Sequence, residues 1–180
     1  STRLDGQLLP GLSPYGVPRE LKDTAIPFNY NKIDELEKII EKYGETVGVI
    51  IMEPQRGNKP DEGFLESVRK IATDIGAVLI FDEVSSGFRI NVGGVHLTYN
   101  INPDIAVLGK ALGNGYPISA IIGRRSIMDY AQDSFISSTF WTERIGFTAA
   151  LATIKKMIEK EVPKHIIEYG NIIIKGLYEI

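Results

Sequence analysis

The sequence contains no cysteine in its 180 residues. That excludes disulfides and thiolate metal sites, and a reducing cytoplasm is the location compatible with it. It has only two histidines, His96 and His165. Neither has a nearby second His or spaced carboxylate making a recognisable site, so no metal centre is expected and His165 reads as structural. No apolar run approaches the roughly 20 residues of a membrane span, and the polar start Ser1-Thr2-Arg3-Leu4-Asp5 has no signal-peptide core. Neither sign of charge dominates: 20 basic and 23 acidic residues leave a net charge of −3, with no broad electrostatic reason to bind nucleic acid or an anionic membrane. A Gly-rich loop ending in Lys-Ser or Lys-Thr is also lacking, which makes nucleotide binding through a phosphate loop a weak reading. No internal repeat or low-complexity tract is present.

What the chain has is an alternation of elements. The 43% apolar content suits one globular domain with a sizeable core. Residues 1–31 are rich in Gly and Pro and read as an irregular, turn-bearing segment. Ile33, Leu36, Ile39 and Ile40 then fall on one face of a helix expected over about 32–43. Val47 to Met52 is a continuous β-rich apolar run, expected to be a strand covered on both faces of a parallel sheet and ended by Glu53-Pro54. Phe64, Val68, Ile71 and Ile75 recur at helical spacing before Gly76, and Ala77 to Phe81 reads as the next strand. Further strands are expected at Ile105–Leu108 and Ile118–Ile122. Two helices follow, one through Ile145 to Ile158 and one after Pro163. The order implies an α/β architecture, a mostly parallel sheet covered by helices.

Two residues carry the chemistry. Asp82 follows one apolar strand and Lys110 follows another, so a carboxylate and an amine reach strand ends, where open α/β sheets bind ligands. A pyridoxal phosphate enzyme uses such a pair: the carboxylate keeps the pyridine nitrogen protonated, and the lysine forms a Schiff base with the aldehyde. Taken singly, each has a plainer explanation, a turn-capping aspartate and a solvated surface lysine. Glu83 reads as a structural hydrogen-bonding residue.

The runs Phe81-Asp82-Glu83-Val84-Ser85-Ser86-Gly87-Phe88-Arg89 and Gly109-Lys110-Ala111-Leu112-Gly113-Asn114-Gly115-Tyr116-Pro117 closely resemble the class III aminotransferases. With Glu53-Pro54-Gln55-Arg56-Gly57-Asn58, they look most like the glutamate-1-semialdehyde 2,1-aminomutase branch. The resemblance implies the large cofactor-binding domain of a fold type I pyridoxal phosphate (PLP)-dependent transferase. Residues 32–161 would be a portion of that domain, and 162–180 a helical segment leading toward a C-terminal domain outside the chain. The chain is expected to be a fragment. The implied activity is amino-group transfer between a small-molecule amino donor and a carbonyl acceptor, by a transferase or an aminomutase, in a homodimer. The different-class alternative is a non-catalytic α/β interaction domain derived from such an enzyme.

By this resemblance Lys110 and Asp82 are catalytic, and Asp82, Val84, Lys110 and Thr139 bind the cofactor. Val84 packs on the pyridine ring in this reading, or is an ordinary core valine. Thr139 reaches the cofactor phosphate of the neighbouring subunit, or its Ser137-Ser138-Thr139 cluster caps the following helix. Three departures from the class stand out. Ser85 replaces a Gln that hydrogen-bonds the ring hydroxyl in many members. Asn58 replaces a Glu that pairs with a mobile arginine in several ω-aminotransferases. Trp141-Thr142-Glu143-Arg144 replaces a small run containing Asn-Pro. Arg89 reads as a structural salt-bridging residue in preference to one holding a substrate carboxylate.

Overall fold

A computed structural model describes residues 12–140 and 142–179. The first eleven residues of the expected irregular segment, and Trp141, lie outside the described residues. The chain divides into two compact units, Ser1–Val47 and Gly48–Ile180.

In the first unit, the described residues before helix α1 (Ile33–Tyr43) form turns and one short 3-10 turn at Arg19–Leu21. The acidic residues Asp34 and Glu35 in the first turn of α1 suit the positive end of the helix dipole. Glu35 also accepts hydrogen bonds from the Asn29 backbone N–H at 2.7 Å and from its side-chain amide, tying the preceding turn to the helix. Leu36 is the buried residue of the apolar stripe.

The second unit is built on a four-stranded sheet in the order β1 (Val49–Met52), β2 (Val78–Glu83), β3 (Ile105–Leu108), β4 (Ala120–Gly123). The first three strands are parallel, and β4 runs antiparallel to β3. Helix α2 (Phe64–Asp74) connects β1 to β2 and packs on β2 through a face that includes Phe64, Leu65, Val68 and Ala72. A single turn, α3 (Arg125–Met128), follows β4, and the long helices α4 (Ile145–Glu159) and α5 (Val162–Tyr178) end the chain. Ala150 and Met157 of α4 join Phe88, Leu108 and Leu112 in one cluster, with Ile118, Ala120 and Ile154 packed around it. No helix of the described residues is long and apolar enough to cross a membrane.

Strand periodicity makes the two faces of the sheet unequal. Ile50, Leu79, Phe81, Glu83, Ala106 and Leu108 are buried. The alternate positions are more open, reaching 51% exposure at Val49 and 60% at Ile51 and Ile121. Within the described residues the first strand, expected to be covered on both faces, is covered on one. β1 lies at a sheet edge, and one of its faces is open among the described residues. Its unbroken apolar run does not alternate, so composition alone gave no sign of the difference.

The sheet is anchored at the end remote from Lys110 by Asp104. Its buried carboxylate accepts from Leu79 N–H at 2.8 Å and pairs with Arg69 at 2.8 Å and Arg124 at 3.1 Å. Burial would raise its pKa. The Leu79 hydrogen bond and the two guanidinium groups outweigh that and hold it below the ordinary carboxylate value.

Candidate active site

β2 and β3 are parallel neighbours in a register that sets Asp82 beside Val107 and Glu83 beside Leu108. Val84 and Ser85 leave the end of β2, and Gly109 and Lys110 leave the end of β3, on the same edge of the sheet. The Lys110 Nζ donates to Ser85 Oγ at 2.5 Å across the gap. The backbone at Lys110 is left-handed, with φ of 42°, and begins a short 3-10 turn to Leu112. Its carbonyl then accepts from Gly113 and Asn114 N–H. An L residue takes this conformation at some cost, and the two carbonyl contacts help hold it there.

Asp82 and Glu83 are consecutive, so they project to opposite faces of β2. Asp82 is half-buried on the open face, and its Oδ1 accepts from Val84 N–H at 3.0 Å, fixing the turn that carries Val84 and Ser85. A Cβ placed on Gly109 would lie 3.5 Å from a Val84 methyl and 3.8 Å from Ser119 Cβ. The valine and the lysine-bearing turn are thus close neighbours. Gly87 is required by packing, since a Cβ there would come within 2.8 Å of both the Glu83 carbonyl and Leu108 Cδ2.

Glu83 is wholly buried and acts as the clamp of this edge. It accepts from Val95 N–H at 2.7 Å, His96 N–H at 3.0 Å and Ser86 Oγ–H at 2.8 Å, and it lies 2.5 Å from His96 Nδ1. The structural role read from sequence is the observed one. The partner of His96 lies thirteen residues away in the sequence, and the turn after β2 brings the two together. Burial would raise the Glu83 pKa, but the bonds from His96, Val95 and Ser86 prevail and hold it low.

A folded-state pKa below the unfolded value stabilises the protein above that unfolded value, near 4.5, and the contribution fades as pH falls through the lowered one. Melting temperature should therefore drop on acidification from pH 7 to pH 3. Glu83→Gln should flatten part of that slope while costing about 3 kcal/mol at neutral pH, as expected when one partner of a buried pair is removed. An unchanged slope in the variant would assign the acid sensitivity to other groups.

Thr139 sits in an exposed turn between Asp133 and α4. The helix-capping alternative for its Ser/Thr cluster does not hold. The first N–H groups of α4, at Ile145 and Gly146, are instead bound by the Glu143 carboxylate. Arg89 donates Nε–H to the Ser85 carbonyl at 2.6 Å and forms no salt bridge among the described residues, contrary to expectation. Asn58 is exposed in the loop after β1. A cleft of about 240 Å³ opens beside Ser85, with Gln55, Arg56, Ser86, Arg89, Ile90 and Val95 in its walls. Sequence reading left this cleft out because its walls come from segments some thirty residues apart.

The family model for class III aminotransferases matches residues 12–180, nearly all of the described chain. The chain belongs to the class III aminotransferases. This class III chain is 39% identical over 158 residues to the glutamate-1-semialdehyde 2,1-aminomutase of Hyperthermus butylicus, a match covering 84% of the chain and 37% of that protein. To the aminomutase of Syntrophobacter fumaroxidans it is 38% identical over 178 residues, covering 95% and 41%. Among solved structures, ornithine aminotransferase of Plasmodium yoelii superposes with a TM-score of 0.74 at 25% identity, over 84% of this chain and 42% of that one. The FumI protein of Sphingopyxis sp. MTA144, solved with PLP, gives 0.70 at 28% identity, over 74% and 34%. The α/β sheet is thus a portion of the fold type I PLP transaminase architecture, and the chain spans about two fifths of the curated relatives it matches.

Proposed function

We propose that the full-length protein transfers amino groups with PLP, using Lys110 as the lysine that holds the cofactor aldehyde and Asp82 as the partner of its ring nitrogen. The observation that carries this reading is the juxtaposition at the ends of β2 and β3: an amine bonded to Ser85 at 2.5 Å, three residues beyond a half-buried carboxylate. The donor set fits the group. Asp82 uses one oxygen to hold its own turn and leaves the other for a ring N–H. Val84 presents an apolar surface next to the glycine that precedes the lysine. The cofactor, when bound, supplies an electron sink for the substrate carbon that loses its proton.

In this reading Lys110 Nζ moves that proton, and Ser85 orients the amine by accepting its hydrogen bond. Val84 would pack against one face of the pyridine ring. Thr139 donates its hydroxyl to the cofactor phosphate of a second subunit, which makes the working form a homodimer. The substrates are a small-molecule amino donor and a carbonyl acceptor, and the setting is cytoplasmic. Identity near 38% to glutamate-1-semialdehyde aminomutases, with Asn58 in place of an arginine-pairing Glu, favours the aminomutase-like branch.

The test is to follow nitrogen-15 from a labelled amino donor in the full-length protein with PLP. Label appearing in an added oxo compound identifies a transferase. Label returning to another carbon of the same skeleton identifies an aminomutase. No label movement with any donor, despite bound cofactor, would overturn the proposal in favour of a non-catalytic domain.

A further inference from the structure

We infer that Asn114-Gly115 is a site of spontaneous backbone modification, at which asparagine converts to aspartate and isoaspartate through a cyclic imide and so loosens the turn that holds Lys110. The modification follows from the turn itself, and its effect on the cofactor rests on the reading of Lys110 above. This is the one Asn-Gly pair in the sequence; every other asparagine is followed by a residue with a side chain. Ring closure needs the backbone nitrogen of the following residue to reach the asparagine Cγ, and a side chain on that residue obstructs the approach. Glycine leaves it clear.

The turn supplies the remaining conditions. Asn114 and Gly115 are both exposed, and a Cβ built on Gly115 would meet nothing within 4 Å, so water reaches the peptide between them. Neither the Gly115 N–H nor the Asn114 side-chain amide has a hydrogen-bond partner among the described residues, which leaves the attacking nitrogen and the attacked carbonyl uncommitted. Gly115 has φ of 106°, a conformation that residues with side chains rarely adopt. The turn therefore demands the residue that makes the peptide reactive.

The Gly115 nitrogen gives up its proton and bonds to Asn114 Cγ, while the side-chain nitrogen takes up a proton and leaves as ammonia. Water then opens the ring. Cleaving the bond to Cγ gives aspartate. Cleaving the bond to the Asn114 carbonyl carbon gives isoaspartate, whose backbone runs through the side chain and is one carbon longer. That carbon falls in a turn with no slack. Asn114 N–H and Gly113 N–H both bond to the Lys110 carbonyl, at 3.1 and 3.2 Å, and Tyr116 N–H bonds to the Gly113 carbonyl at 3.2 Å. The Tyr116 carbonyl stands where a Cβ on Gly113 would be. Lengthening the backbone between residues 114 and 116 breaks the Tyr116 bond and pulls on the two that keep Lys110 left-handed.

The test is peptide mapping of the full-length protein during warm incubation at mildly alkaline pH. Asn114 should lose its amide faster than any other asparagine, in two products of equal mass, one of them labelled by an isoaspartyl methyltransferase. The modified fraction should bind PLP about 10-fold more weakly, the scale of one lost hydrogen bond. Asn114→Ser incubated alongside should keep its own starting Kd, and freshly made Asn114→Asp, with the charge but the normal backbone, should bind PLP as fresh wild type does. An Asn114 amide that outlasts the others would overturn the inference. So would an unchanged PLP Kd in fully modified protein, or an equal loss in fresh Asn114→Asp, which would assign the effect to charge. Borohydride fixation of PLP on another lysine of fresh protein would instead overturn the Lys110 reading and leave the mapped modification standing.

Discussion

Lys110→Ala is expected to lower amino transfer in the full-length protein by about 10³-fold or more, because it removes both the attachment point for the aldehyde and the group that moves the substrate proton. Borohydride reduction of the wild-type holoprotein, followed by peptide mapping, should place the pyridoxyl group on Lys110. A label on another lysine would overturn the assignment. The same variant tests the subunit arrangement. In a mixed dimer of Lys110→Ala and Thr139→Ala subunits, a threonine that reaches across the interface puts both defects in one site and leaves the other intact. About half of the wild-type dimer activity should then survive. Activity no higher than that of the singly mutated homodimers would confine Thr139 to its own chain.

Asp82→Asn should lower turnover by about 10²- to 10³-fold while leaving cofactor content close to that of wild type, since a fixed negative charge beside a developing positive one acts on the reaction more than on binding. The local fold should tolerate the change. An Asn side-chain oxygen can still accept the Val84 N–H bond that Asp82 Oδ1 now accepts at 3.0 Å. Near-normal turnover at saturating PLP would remove Asp82 from the electron-sink role. The contrast with Glu83→Gln is informative: one substitution should slow chemistry in a stable protein, the next residue along should weaken the fold.

Most of the architecture was legible because it rests on local periodicity. The helix expected over 32–43 spans Ile33–Tyr43, and the strand expected at Ile105–Leu108 has those bounds. The strand expected at 118–122 is displaced to Ala120–Gly123. Its antiparallel direction was not foreseen, because strand direction depends on the return path of the chain and not on side-chain pattern. Asp82 and Lys110 were singled out by motif, and the parallel pairing of β2 with β3 puts both at the same end of the sheet. What escaped is set by turn geometry. The carboxylate partner of His96, the Glu143 cap of α4 and the backbone tether of Arg89 each depend on a turn whose path no residue count reveals.

The neighbouring carboxylates of β2 also proofread the strand's alignment. Sliding β2 by a single position would drive Asp82 into the apolar interior and pull Glu83 away from Val95, Ser86 and His96, leaving four polar groups without the carboxylate they now bind. Both ends of that error are penalised at once, so the gap between misaligned and correct pairings is set by charge as well as by packing. A deletion or insertion in the tight turn between α2 and β2 could not be absorbed by letting the strand shift. The lengths of these connections are consequently bound to the chemistry at the strand's far end, though they lie a full strand away from it.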